Sequence, residues 1–143
     1  GITMKLKLLL CFTIFGSLLF ACSEGNVFDL EVGDCFNFGG SNYDAITDVE
    51  VVNCSEAHEA EVFARINIDR SSYPTLSYIS TFADERCYDP FRSYVGVSYE
   101  ESIWYADFIY PDREAWNGGK RYINCVIVPE YGFAYESARN SRK

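Results

Sequence analysis

Apolar positions recur along the chain with two different periods, and the periods divide it into elements. An apolar run from Leu8 to Phe20 follows Lys5 and Lys7 and ends at Ala21-Cys22. Leu30 to Phe38 reads as a strand with Leu30 and Val32 on one face and Cys35 near its end, and Gly39-Gly40-Ser41-Asn42 reads as a loop. Val49 to Cys54 is rich in β-formers. From Glu59 to Ile68, the residues Ala60, Val62, Ala64, Ile66 and Ile68 fall at every second position, which predicts a strand with one buried face. Beyond Ser71-Ser72-Tyr73-Pro74 the period lengthens. Leu76, Ile79, Phe82, Ala83 and Cys87 share one helical stripe, predicting a helix over 74–88 with Pro74 in its first turn. Asp89-Pro90 is expected to stop that helix and to open a second, short one leading to Tyr94-Val95-Gly96. Ile103 to Tyr110 is a further strand ended by Pro111-Asp112, Trp116-Asn117-Gly118-Gly119 is a turn, and Tyr122 to Pro129 is the last strand, with Ile123, Cys125 and Ile127 on one face.

This order predicts an α+β fold: a small, mostly antiparallel sheet with one main helix packed on it. The expected divisions are a leader over 1–21, a tether over 22–29, a domain over 30–139 and a tail over 140–143. The polar, basic stretch from Ser137 is expected to fray.

The front of the chain carries a targeting signal. Gly1-Ile2-Thr3 precede Met4, which has the position of the true start. Lys5 and Lys7, the apolar run and Ala21 before Cys22 follow the plan of a signal peptide. The run is shorter than the roughly 18–20 residues a membrane-spanning helix needs. Leu19-Phe20-Ala21-Cys22 resembles a lipobox, the signal of bacterial lipoproteins, with Phe20 where a smaller residue is usual. The resemblance implies cleavage before Cys22, a diacylglycerol thioether on its sulfur and a fatty acid such as palmitate on its amine. Several acyl chains anchor a protein stably. The expected location is the cell envelope, on the extracytoplasmic side of a membrane.

Charge and cysteines fit that location. Removing residues 1–21 from the 143 leaves 122, enough for one domain with a real core. Without Lys5 and Lys7 the balance is 10 basic against 21 acidic residues, a net charge of −11. Such a surface argues against nucleic acid and against adsorption on anionic lipid, and leaves room for a basic partner. Four cysteines remain after Cys11 and Cys22 are set aside: Cys35, Cys54, Cys87 and Cys125. An even number in an exported chain points to disulfides, and no C-x-x-C spacing indicates a redox or zinc motif. Three pairings are open. Cys35–Cys54 and Cys87–Cys125 are expected because each joins successive elements.

Val32-Gly33-Asp34-Cys35-Phe36, Val51-Val52-Asn53-Cys54-Ser55-Glu56-Ala57-His58-Glu59-Ala60-Glu61-Val62-Phe63, Cys87, Tyr94-Val95-Gly96, and Pro111 with Trp116, Gly119, Arg121 and Cys125 occur in this order. The order resembles the septum-formation domain, a small extracytoplasmic module, over about residues 30–139. Ala57 stands where that family usually has proline, and Lys120 where it commonly has an acidic residue. The resemblance implies an association with septum formation and carries no catalytic activity.

The candidate chemistry is sparse. His58 is the sole histidine, and with Glu59 and Glu61 it is the tempting base or metal ligand. On a strand, however, His58 points away from both glutamates, and His58-Glu59-Ala60-Glu61-Val62 lacks the second histidine of a zinc protease. The favoured role is structural: His58 hydrogen-bonds across the turn after Cys54. Glu100-Glu101 and Asp112 with Glu114 read as solvated carboxylates rather than a glycosidase pair. Arg121 is placed to stack on Trp116 or to pair with an acid. Trp104, Tyr105, Phe108, Tyr110, Trp116, Tyr131, Phe133 and Tyr135 are read first as core, and otherwise as a platform for sugar or peptide. The expectation is a non-enzymatic binding or scaffolding domain without metal or cofactor. Its partner is expected to be an envelope protein of septum formation or wall growth. The alternatives are a peptidoglycan or carbohydrate binder and an envelope enzyme.

Overall fold

The computed structural model describes residues 23–39 and 48–143; the leader, Cys22 and the greater part of the expected Gly39–Asn42 loop lie outside them. The strands are β1 (Ser23–Asn26), β2 (Cys35–Phe38), β3 (Asp48–Val52), β4 (Ala60–Asn67), β5 (Tyr105–Ile109) and β6 (Tyr122–Val128). Helix α1 (Leu76–Val95) precedes a short 3-10 turn at Tyr99–Glu101, and α2 (Arg113–Asn117) lies between β5 and β6. The strands form one antiparallel sheet in the order β1-β3-β2-β4-β6-β5. The α+β expectation holds, with one main helix and disulfides Cys35–Cys54 and Cys87–Cys125.

β4 differs from the half-buried strand its alternation predicts. Both faces are covered, and its pairing with β6 slips between Val62 and Ala64. The bulge leaves Phe63 without a partner and switches the period. Ala60 and Val62 therefore join a core with Val27, Phe28, Phe36 and Val126 on one side of the sheet. Phe63, Ala64 and Ile68 join the core beneath α1 on the other. Ile123, Cys125 and Ile127 of β6 keep the single face the sequence gives them, towards α1.

α1 runs seven residues past Tyr88, straight through Pro90. Thr75 caps its start, accepting from the Tyr78 N–H at 3.2 Å. An internal proline costs about 3 kcal/mol. Here the buried stripe continues beyond it through Phe91, Tyr94 and Val95. Burying each large apolar side chain contributes about 1.5–3 kcal/mol, so the stripe outweighs the break. Leu76 lies off that stripe and is exposed. Tyr94-Val95-Gly96 is thus the last turn and cap of α1, not a second helix, with Gly96 left-handed at φ 93°.

Both ends expected to be loose belong to the fold. Residues 23–26 pair with β3, and Val27, Phe28 and Leu30 are buried. The Asn124 amide donates to the Val27 carbonyl at 3.0 Å, and Arg65 and Tyr122 donate to carbonyls of the same segment. The stretch Leu30–Asp34 is accordingly a turn, not strand, with Val32 exposed and Gly33 at φ 101°. At the other end, the Asn140 and Arg142 N–H groups donate to the Tyr94 and Val95 carbonyls at 2.8 and 2.9 Å. These are carbonyls that α1 leaves unpaired at its C-terminus. The tail from Ser137 is a clasp on the helix end rather than a fraying stretch.

Candidate functional site

The buried polar groups converge on Glu61, which is 1% exposed. The bulged β4 directs it towards α1, where the Tyr94 hydroxyl donates to Oε1 at 2.6 Å. The Ser137 hydroxyl donates to the same oxygen at 2.6 Å, and the Ala138 N–H donates to Oε2 at 2.7 Å. Arg139 lies over the Tyr94 ring, 4.8 Å from its centre. Burial, and then the bond to Glu61, push the Tyr94 phenol up to about 12. Gly33 completes the cluster: a Cβ built on it would lie 2.7 Å from an Arg139 guanidinium nitrogen. One carboxylate thus ties β4, α1 and the tail together. With every contact a donor from the protein, its chemistry is structural.

Glu61 also lies within 4.8 Å of the Cys35 and Cys54 sulfurs. Those sulfurs are committed to a disulfide, so they offer no thiolate to an ion.

His58 is equally enclosed, at 1% exposed. Its Nδ1 is 2.8 Å from the Glu56 carbonyl, and its backbone exchanges two hydrogen bonds with Ala134, at 3.0 and 2.9 Å. The turn after Cys54 is thereby closed and the segment after β6 is held against it. Glu59, next in sequence, accepts from the Phe38 N–H at 2.7 Å. His58 and Glu61 are therefore both spoken for, by different partners.

The two tryptophans are core residues. Trp116 is 2% exposed, meets Tyr73 edge-on at 5.8 Å and carries the Arg121 guanidinium 5.2 Å from its ring centre. Trp104 is buried and donates from Nε1 to the Ser141 hydroxyl at 3.0 Å. Neither ring is available as a platform. Among the acids, Asp112 caps α2 through the Ala115 N–H at 2.7 Å, and Glu100 accepts from the Tyr88 hydroxyl. Glu101 accepts from the Ser98 hydroxyl at 2.9 Å.

Exposed aromatic surface instead gathers just after β6. Tyr131, Phe133 and Tyr135 are 83%, 49% and 66% exposed, alternating around the buried Ala134. The His58–Ala134 bridge fixes the backbone between them. Their alternation in Tyr131-Gly132-Phe133-Ala134-Tyr135 was the sequence signal that sets them apart from Trp104 and Trp116.

Comparison with known proteins adds one finding. The sequence model of a family described as septum formation matches residues 32–139. The chain belongs to the septum-formation family. No curated protein and no solved structure matches it. The matched span holds both disulfides, Glu61, His58 and the aromatic segment. Membership in the septum-formation family and the two disulfides make this an extracytoplasmic, envelope-associated protein. No helix among the described residues is long and apolar enough to cross a membrane. Two positions that depart from the septum-formation pattern sit in defined places. Lys120 pairs with Asp29 at 2.8 Å, and the Ala57 carbonyl accepts from the Asn37 amide at 3.3 Å.

Proposed function

We propose that this protein is a lipid-anchored, non-enzymatic binding or scaffolding domain. It holds an envelope protein of septum formation or wall growth against the membrane. The observation that carries this reading is the aromatic segment Tyr131–Tyr135, three exposed rings on a backbone pinned by His58. Exposed aromatics on a fixed backbone bind with little loss of conformational freedom, and such residues dominate interface energies. The lipid would sit on Cys22, one residue before β1, so no stalk separates domain from bilayer. The structural commitments of His58, Glu61 and the disulfides support a role in binding rather than turnover.

The test is crosslinked pull-down from cells with the triple variant Tyr131→Ala, Phe133→Ala, Tyr135→Ala. Capture of an envelope protein by the wild type and its loss in the variant is the expected result. Equal capture by both overturns the role of the segment.

A second reading uses the same rings, since aromatic faces also stack on pyranose rings. Sedimentation of the wild type with purified peptidoglycan, lost in the triple variant, would favour this reading over a protein partner.

A further inference from the structure

The Cys35–Cys54 bridge has one closed end and one open one. Cys35 starts β2 and is buried, while Cys54, at the head of the turn that carries His58, is only half-buried. A thiol reductant therefore reaches the bridge through the Cys54 sulfur. In thiol–disulfide exchange a thiolate attacks one sulfur and the other leaves with the electron pair. Attack at Cys54 makes Cys35 the leaving thiolate, inside the fold.

Glu61 stands where that charge would appear. Cys35 and Glu61 are directly opposite in the pairing of β2 with β4, so their side chains share one face of the sheet. A Glu61 carboxylate oxygen lies within 4.8 Å of both sulfurs. The carboxylate is buried and held by Tyr94, Ser137 and Ala138, so it cannot swing away as charge builds on Cys35. Two like charges this close, shielded from water, disfavour each other strongly. The opposing charge is weaker. The Arg139 guanidinium reaches Gly33, whose carbonyl oxygen lies 3.5 Å from the Cys54 sulfur, but Arg139 is exposed and screened by solvent. The second bridge is protected by cover alone. Cys87 and Cys125 are both buried, and among the described residues no carboxylate lies so close to both of their sulfurs.

We propose that Glu61 guards the Cys35–Cys54 bridge against thiol reductants, its carboxylate opposing the departure of Cys35 as a thiolate. With a dithiol, the first thiolate bonds to the Cys54 sulfur as the Cys35–Cys54 bond breaks. The electron pair goes to the Cys35 sulfur, which then takes a proton. The second thiol of the reagent displaces the Cys54 sulfur, so the dithiol is oxidised to a cyclic disulfide and the protein gains two electrons and two protons. The guard acts on the first step. It protects the turn from Cys54 to His58 and, through the His58–Ala134 bridge, the backbone of the aromatic segment. Neither the lipid nor a binding partner enters into it, so the guard and the binding role can fail separately.

The test is the rate at which dithiothreitol reduces each bridge in the folded full chain in detergent micelles at neutral pH, read by alkylation and peptide mapping. Glu61→Gln keeps the size of the side chain and removes its charge. It should speed reduction of Cys35–Cys54 about tenfold and leave Cys87–Cys125 unchanged. Tyr94→Phe loosens the same cluster but keeps the carboxylate, and should speed Cys35–Cys54 far less. Arg139→Ala removes the opposing charge and should slow Cys35–Cys54 about twofold, whereas loosening of the tail would speed it. With a monothiol in place of dithiothreitol, the trapped mixed disulfide of the wild type should sit on Cys54. No acceleration in Glu61→Gln, equal acceleration in Tyr94→Phe, or a mixed disulfide on Cys35 overturns the guard. Should Glu61→Gln speed both bridges alike, the fold itself has opened and Arg139→Ala decides: slower reduction supports the guard, and unchanged or faster reduction overturns it.

Discussion

Tyr94 and Glu61, 33 residues apart in sequence, share a 2.6 Å hydrogen bond inside the core beneath α1. Because the Glu61 carboxylate also takes bonds from Ser137 and Ala138, that pair is where the central strand, the helix and the tail meet. Hydrogen bonds to a buried charge contribute about 1.5–3 kcal/mol, and unpaired buried donors are costly. Glu61→Ala should therefore lose about 3 kcal/mol or more. Tyr94→Phe should lose about 1–3 kcal/mol, because it removes one donor and leaves the others in place. Urea denaturation followed by tryptophan fluorescence measures both. A loss below about 0.5 kcal/mol for Glu61→Ala, the range of ordinary surface substitutions, contradicts the assignment.

The same pair sets an alkaline limit. Tyr94 titrates near 12 when folded, against 10.0 for the unfolded residue. Below pH 10 the phenol is protonated in both states and its stabilisation is complete. Between 10 and about 12 the unfolded chain loses the proton first, so stability falls as pH rises. Absorbance titration at 295 nm should show a late-ionising fraction among the 11 tyrosines, to which Tyr73 and Tyr88 also contribute, and Tyr94→Phe should remove its latest part. The variant should also lose its share of the slope of stability against pH in that window.

Gly33 is required for its backbone conformation, and a side chain there would also displace the flexible end of Arg139. Its φ of 101° is strained for any residue with a Cβ, and that Cβ would meet Arg139 at 2.7 Å. Gly33→Ala should cost about 1–2 kcal/mol. The double variant Gly33→Ala, Arg139→Ala should recover the steric part and leave the backbone part. A double variant no more stable than Gly33→Ala alone would show that Arg139 yields freely.

These variants mark where sequence and structure part company. The last strand and the helical stripe through Ile79, Ala83 and Cys87 follow from spacing, because each obeys one local period, whereas the cysteine pairing, one of three open to the sequence, is expected because each bridge joins successive elements. The split of the β4 apolar positions does not follow from spacing. A bulge at Phe63 is set by pairing with β6, and no local pattern announces it. Pro90 misleads for the opposite reason, since a strong local breaker is overruled by burial of Phe91 and Val95. Glu61 passed for one more acid beside the histidine. Its role depends on Tyr94, Ser137 and Ala138, none of them near it in sequence. The polar tail likewise looked free because its acceptors are main-chain carbonyls of α1.

The disulfides should contribute unequally. Cys87–Cys125 spans 38 residues and Cys35–Cys54 spans 19. In the chain-entropy account each contributes about 3–4 kcal/mol, the longer loop more. Paired Cys→Ala replacements compared by denaturation should rank in that order. The reverse ranking would place the dominant effect in native packing instead.

Anchoring is tested at Cys22. Labelled palmitate should enter the wild-type chain and not Cys22→Ser, and the variant should leave the membrane fraction or keep its leader. Incorporation into neither would remove the lipid from the account and leave the extracytoplasmic domain intact.

The binding role is tested most directly by placing a photocrosslinking phenylalanine analogue at position 133, with position 92 on the exposed side of α1 as the comparison. Irradiation of living cells should give a discrete adduct with an envelope protein from position 133 and none from position 92. Adducts of equal yield from both positions, or none from position 133 at native expression, would contradict the claim that the aromatic segment is where this domain meets its partner.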